Sequence, residues 1–267
     1  MTSRDLDQFY TNPIIAKELF NLTLKIVKDP SKLVFLEPSA GNGSFSKLFP
    51  PNSIALDIDP KAPNIIKMDF LEFQAPFDNA LVIGNPPFGK NSSLAIKFFN
   101  KSALFSKYIC MILPKTFRKD SVVNKLDLNL HLVEERTLPY NSFVFNMSPY
   151  HVPCVFQIWE KRDFKRTKIP QKLKTSVFEF STKSNSDFAI RRVGALAGKI
   201  FKNFDNYSPN SHYFINIDAK FDKNKVFEII DESFDQLHIQ AQNSAGNPSL
   251  SKHELISIIE KNPLFNL

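Results

Sequence analysis

Four consecutive residues, Asn85-Pro86-Pro87-Phe88, carry the clearest chemistry in the chain. They follow an apolar run at residues 80–83 that has the length and side chains of a buried strand. Two successive prolines cannot continue a strand ladder, and they hold the backbone extended. What they hold out is one amide, Asn85, beside one aromatic face, Phe88. An amide oxygen can accept hydrogen bonds from an exocyclic amino group, and a ring can stack on the planar heterocycle that carries it. Taken alone, the four residues also read as a proline turn closed by a buried phenylalanine.

Three acidic side chains stand at the ends of earlier apolar runs. Glu37 follows residues 33–36, Asp57 follows 53–56, and Asp69 follows 64–68. After Glu37 comes Pro38-Ser39-Ala40-Gly41-Asn42-Gly43, a glycine-bearing turn, with helix signals at 44–48. Strand, glycine turn and helix make the ligand-binding start of a doubly wound sheet. The spacing is not the dinucleotide G-x-G-x-x-G, because Ser46 occupies the third glycine position, and it lacks the G-K-[ST] of a P-loop. An acid at that strand tip disfavours a pyrophosphate but suits a ligand carrying an ammonium and a sulfonium. At the second tip, Asp57 can accept from both hydroxyls of a ribose. Each acid alone is an ordinary cap or solvated loop residue; three in succession before Asn85 are a combination that chance rarely produces.

N-P-P-F resembles the catalytic motif of S-adenosylmethionine-dependent amino-methyltransferases acting on adenine N6. Leu36-Glu37-Pro38-x-x-Gly41-x-Gly43 resembles their cofactor motif, and Asp7-Gln8-Phe9-Tyr10-Thr11-x-Pro13 their first motif. The resemblance implies that Phe9, Tyr10 and Thr11 close over the methionine end of the cofactor. It assigns Glu37, Pro38, Ala40, Gly41 and Gly43 to the cofactor loop. Asp57 takes the ribose, Ile58 packs against the cofactor adenine, and Asp69 accepts from the adenine amino group with Phe70 against its face. Asn85, Pro86, Pro87 and Phe88 are then catalytic, with Asn85 also bordering the cofactor. The Asn85 oxygen and the Pro86 carbonyl accept the two target N–H groups, and Phe88 stacks on the target base. An aromatic residue in the loop at 139–147 supports the other face of that base; Phe143 and Phe145 are candidates, and Phe145 is preferred. No metal site is expected, since the five histidines are scattered.

The elements that must position these residues follow the same pattern. Asn12 is a good N-cap and Pro13 a good first residue for a helix whose apolar positions run from Ile14 to Ile26. Helices are expected at 92–104 and near 121–126, and strands at 108–113, 131–136 and 152–160. The expected fold is α/β: the Rossmann-like class I methyltransferase sheet of seven strands, its last strand antiparallel as the resemblance implies. A small α+β carboxyl-terminal domain follows, with a strand at 213–217 and helices at 221–237 and 249–261.

Charge divides the chain. The whole carries a net +7, yet residues 161–202 alone hold 12 Lys+Arg against 3 Asp+Glu, and residues 203–267 hold 5 against 9. A basic segment behind a near-neutral module suits a polyanion partner; a lysine-rich solvated surface is the plainer reading. We therefore expect a catalytic domain at 1–162 and a target-recognition unit at 163–267 that contacts nucleic acid through Arg191 and Arg192. Cofactor motif before N-P-P-F, with the basic unit last, matches the gamma class of DNA adenine methyltransferases. DNA is preferred over RNA as the substrate; glutamine methylation in a protein and an inactive nucleic-acid-binding module are the remaining alternatives. The expected state is a monomer or weak dimer in the cytoplasm, with no membrane span, and a cognate restriction enzyme is a compatible partner. Cys110 and Cys154 sit in apolar runs and read as reduced core thiols.

Overall fold

A computed structural model describes residues 9–145, 148–244 and 246–265. The chain divides into two compact units between Ile169 and Pro170. In the first, β1 (Tyr10–Thr11) leads into α1 (Pro13–Ile26), where Asn12 accepts a hydrogen bond from the Ile14 N–H at 3.0 Å. There follow β2 (Val34–Glu37), β3 (Ile54–Asp57), β4 (Ile66–Lys67), β5 (Ala80–Gly84), α2 (Ser93–Ala103) and β6 (Ser106–Pro114). Then come α3 (Asp120–Val123), β7 (Leu130–Thr137), β8 (Phe143–Phe145), β9 (Ser148–Tyr150) and β10 (Cys154–Lys161).

The main sheet has the order β4-β3-β2-β5-β6-β10-β7. β2 through β6 pair in parallel, whereas β10 runs antiparallel to both β6 and β7. This is the seven-stranded class I methyltransferase sheet. The central run at β5 is apolar throughout because both of its faces are covered. Leu81 and Ile83 pack with Ile15, Ala16 and Leu19 of α1; Val82 packs with Ala95, Phe98 and Phe99 of α2. Each of the Val, Leu, Ile and Phe side chains among them contributes roughly 1.5–3 kcal/mol by leaving water. After β2 the chain moves outward to β3 and β4 and then returns to lay β5 on the other side of β2. That reversal opens a crevice at the carboxyl ends of β2 and β5, where ligands bind in sheets of this kind.

The second unit contains β11 (Phe178–Phe180), β12 (Phe188–Arg191), β13 (Ile200–Phe201), β14 (His212–Ile217), α4 (Lys223–Glu232), α5 (Phe234–Ala241) and α6 (Lys252–Ile259). Its sheet is antiparallel with order β11-β14-β12-β13. Phe188, Ile190, Ile215 and Ile217 on one face pack with Ile229, Ile230, Leu237 and Ile256 of the helices. The unit is therefore α+β. Ser251 and Glu254 form the reciprocal capping box of α6.

Four expectations change. Residues 44–48 make only a 3₁₀ turn, Ser46–Leu48. The helix expected at 221–237 breaks at Ser233, whose hydroxyl donates to the Ile229 carbonyl at 2.7 Å. The loop at 139–147 contains β8, which pairs with β1. The division falls at 169/170 and not at 162/163, because residues 162–169 are tied to the first unit. The Arg166 guanidinium donates to the carbonyls of Leu126 and Leu130, and Asn124 holds Ile169 through both N–H and C=O. Both cysteines are buried and free, and burial pushes their thiols up. Among the described residues, no helix is long and apolar enough to cross a membrane.

Candidate active site

The sheet reversal places four strand ends around one cleft of about 290 Å³. Phe9 and Tyr10, Pro38, Ser39 and Gly41, Asp57 and Ile58, Asp69 and Phe70, and Asn85 and Pro87 all line it. Residues that the sequence separates by up to 89 positions thus share one surface.

Its floor is the glycine loop. The Gly41 N–H donates to Asp57 Oδ2 at 2.6 Å, and the Asp59 N–H donates to Asp57 Oδ1 at 2.7 Å. A carboxylate oxygen has a second lone pair, so Asp57 still has capacity for two hydroxyl donors. Gly41 has φ +51°, and a Cβ there would lie 2.9 Å from the Tyr10 ring, so neither backbone nor space admits a side chain. Burial pushes the Tyr10 phenol up, with Lys61 partly opposing.

One wall is apolar. Ile58 is 55% exposed and Met68 40% exposed, both lining the cleft, which is unusual for large apolar side chains unless a ligand covers them. Phe70 is almost fully buried, its ring 5.0 Å from that of Phe98. Beside this wall Asp69 Oδ1 accepts from the Leu71 N–H at 2.8 Å as the cap of a 3₁₀ turn.

Asn85 leaves β5 at its carboxyl end. Its carbonyl accepts from Ser39 Oγ at 3.0 Å, and its Nδ2 donates to the Phe9 carbonyl at 3.0 Å. Its Oδ1 is buried and has no partner among the described residues. A buried acceptor without a partner costs about 1–3 kcal/mol, so the site holds it at a loss unless a donor arrives. On the far side of Asn85 is a second, narrow cavity lined by Phe9, Pro86, Phe88, Phe143 and Val152, with no room for a water molecule. Next to it, Gly89 has φ +66°, and the Phe88 carbonyl accepts from the N–H groups of Leu94 and Ala95 at the start of α2.

Several expected site residues stand elsewhere. Glu37 is buried and does not line the cleft; its Oε2 accepts from the Ser46 N–H at 2.7 Å and so shapes the loop. Burial pushes its carboxyl well above the usual range, with the Ser46 hydrogen bonds opposing. Thr11, Ala40 and Gly43 also lie behind the lining. The Thr11 carbonyl accepts from Ser44 Oγ at 2.8 Å, and the Gly43 N–H donates to the Ala40 carbonyl at 2.7 Å. Phe143 is a core residue of β8 that borders the narrow cavity, and the Phe145 side chain lies outside the described ones.

Arg191 and Arg192 are half-buried within the second unit. Arg191 Nε donates to the Val193 carbonyl at 2.8 Å, and the Arg192 guanidinium lies 5.2 Å from the Tyr213 ring centroid. Sequence reasoning missed Ser39, Met68, Leu71, Gly89, Leu94 and Phe98 in the cleft. Leu94 and Phe98 are one turn apart on α2, in the helix expected at 92–104, and Ser39 lies inside the cofactor loop.

No family model matches the chain, and no curated protein matches it. Solved structures do. A Pyrococcus horikoshii protein provisionally named an RNA methyltransferase is 20% identical, over 59% of this chain and 88% of that one, with a TM-score of 0.47. The 23S rRNA methyltransferase ErmE is 17% identical, over 58% and 71%, with a TM-score of 0.41. The plantazolicin methyltransferase BpumL is 13% identical, over 56% and 84%, with a TM-score of 0.36. At these identities and scores the matches leave the cleft's ligand to be argued from its own residues.

Proposed function

We propose that the first unit transfers a methyl group from S-adenosylmethionine to the N6 amino group of adenine in DNA. The observation that carries this reading is the unpartnered, buried Oδ1 of Asn85, set between an acid-tipped cleft and an aromatic cavity. The cleft's donors and acceptors fit the cofactor. Asp57 would take the ribose hydroxyls, Asp69 the adenine amino group, and Ile58, Met68 and Phe70 the faces of the adenine. Tyr10 and the Gly41 loop would border the methionine end. When bound, the cofactor supplies an electrophilic methyl group on its sulfonium.

The chain's own residues do the rest by position and electrostatics. The N6 lone pair is delocalised into the ring, so it attacks poorly until its hydrogens are drawn aside. Asn85 Oδ1 and the Pro86 carbonyl accept those two N–H groups, and Phe88 stacks on the base. An adenine taken from a duplex costs a few kcal/mol to flip out. The narrow cavity must open to admit it, which requires movement at Phe88, Phe143 or Val152. Exposed Lys165 and Lys168 offset part of the flipping cost at the phosphates, making binding salt-dependent.

DNA is preferred to RNA on the order of the motifs, with a basic segment after the catalytic one. The test is transfer from labelled S-adenosylmethionine to duplex DNA, single-stranded DNA and total RNA, followed by nuclease digestion and base analysis. Label in N6-methyladenine of DNA is expected; label confined to RNA or to protein overturns the substrate.

A further inference from the structure

The Asn85 side chain has two ends of nearly equal shape, and the reaction proposed above needs the oxygen, not the nitrogen, toward the incoming amine. Nothing on Asn85 itself decides which way round the amide sits. Its surroundings do. Nδ2 meets the Phe9 backbone carbonyl at 3.0 Å, while Oδ1 is left buried and without a partner among the described residues. Turned by 180°, the amide would set its oxygen against that carbonyl, two acceptors face to face, and point its N–H donors where the amine's own N–H groups must be accepted.

We infer that the Phe9 carbonyl is the positioning group for the catalytic amide: it holds Nδ2 and so commits Oδ1 to the amine. The inference rests on the methyltransferase reading for what Oδ1 does, but not for how it is held. Phe9 is itself fixed by the residues that follow it. Tyr10 and Thr11 pair with Val144 and Phe143 in β8, and the Asn12 N–H donates to the Ser142 carbonyl at 2.9 Å. The Thr11 carbonyl takes the Ser44 hydroxyl of the glycine loop, and the Tyr10 ring covers Gly41. The strand that borders the cofactor therefore also sets the group that handles the substrate, although 76 residues separate Phe9 from Asn85.

Asn85→Asp tests this, because it keeps the shape and replaces the N–H donor with an ionisable oxygen. Ionised, that oxygen faces the Phe9 carbonyl with no hydrogen between them; protonated, it donates as Nδ2 does. The other ionisable groups around the position are Tyr10 on β1, Glu37 on β2, Asp57 at the end of β3 and Asp69 beyond β4. Lys61 is held by Asp59 at 2.6 Å, and no Lys, Arg or His lines either cavity among the described residues. Every acidic neighbour favours the protonated form.

The sign follows. An acid held protonated in the folded chain contributes stability that is full below its unfolded titration and lost as pH rises through its folded one. Melting temperatures of wild type, Asn85→Asp and the non-ionisable Asn85→Ser are compared between about pH 4 and about pH 9. The gap between wild type and Asn85→Asp should widen as pH rises, while the Asn85→Ser gap stays constant. Methyl transfer by Asn85→Asp at saturating cofactor, relative to wild type, should fall about tenfold per pH unit above the same titration. A melting gap for Asn85→Asp that is flat with pH, or widens as pH falls, overturns the inference. If wild type methylates nothing, the proposed function has failed, and the melting series alone still decides the Phe9–Asn85 contact.

Discussion

The two units treat their charged side chains in opposite ways. In the first, Asp57 and Asp69 satisfy backbone N–H groups with part of their capacity and keep the rest facing the cleft. In the second, five cations are engaged by groups of the unit itself. Arg191 is held by the Val193 carbonyl, Arg192 lies on Tyr213, Lys172 pairs with Glu260, Lys223 pairs with Asp187, and the Lys202 ammonium sits 4.0 Å from the Phe227 ring centroid. A count of charges cannot tell these cases apart. What marks a site is unused hydrogen-bonding capacity on the lining of a vacant volume. Arg192 Nε and His212 Nε2 of the second unit are also buried without a partner among the described residues, yet neither residue lines the cleft or the narrow cavity, whereas Asn85 lines both.

The largest effect expected from this contrast is at Asn85. Asn85→Ala should lower methyl transfer by about 10²–10³-fold or more, by analogy with removing one preorganised transition-state partner. The affinity for S-adenosylhomocysteine, measured by calorimetry, should stay within about twofold. Equal losses in both would merge the two cavities into a single binding function and break the separation drawn here.

Next comes Asp57→Ala, which removes two loop hydrogen bonds and the proposed ribose acceptor. A loss of roughly 1.5–3 kcal/mol, about 10- to 150-fold in cofactor affinity, is expected for hydrogen bonds to a charged group. A smaller effect is expected from the exposed Lys165 and Lys168. Replacing both with alanine should reduce the slope of log affinity for DNA against log salt by about 1 per lysine in phosphate contact. Arg191→Ala should instead lower the melting temperature with little change in that slope. A reversed outcome would return the nucleic-acid contact to Arg191.

The subtlest expectation concerns Glu37. Because burial raises its carboxyl in the folded chain, its contribution is greatest at low pH and is lost as pH rises through that raised value. Glu37→Gln keeps an acceptor for the Ser46 N–H but cannot ionise, so it should gain stability relative to wild type as pH rises, read from paired melting curves.

Most of the first unit was legible in the residues. Buried runs of strand length, acids at their ends, Asn12-Pro13 at a helix start and N-P-P-F after an apolar strand are local signals, and local physics makes them. The 3₁₀ turn at Ser46, the break at Ser233 and the residence of 162–169 in the first unit were not legible. Each depends on a partner far away or on one hydroxyl competing for a carbonyl. The same holds for side chains: a Leu or Phe at helical spacing says that it is apolar, not whether core or ligand will cover it.

The sequence by itself determined the α/β order, the acid-tipped strands and the aromatic amide motif, because periodicity and turn chemistry act over a few residues. Only the tertiary structure decided which acids face the cleft and which, like Glu37, stand behind it. It alone set Arg191 against the Val193 carbonyl and Arg192 over the Tyr213 ring, and it alone brought the Phe9 carbonyl to Asn85. Those outcomes depend on which groups the sheet order and packing set within about 3 Å of one another, a range over which hydrogen bonds form or fail.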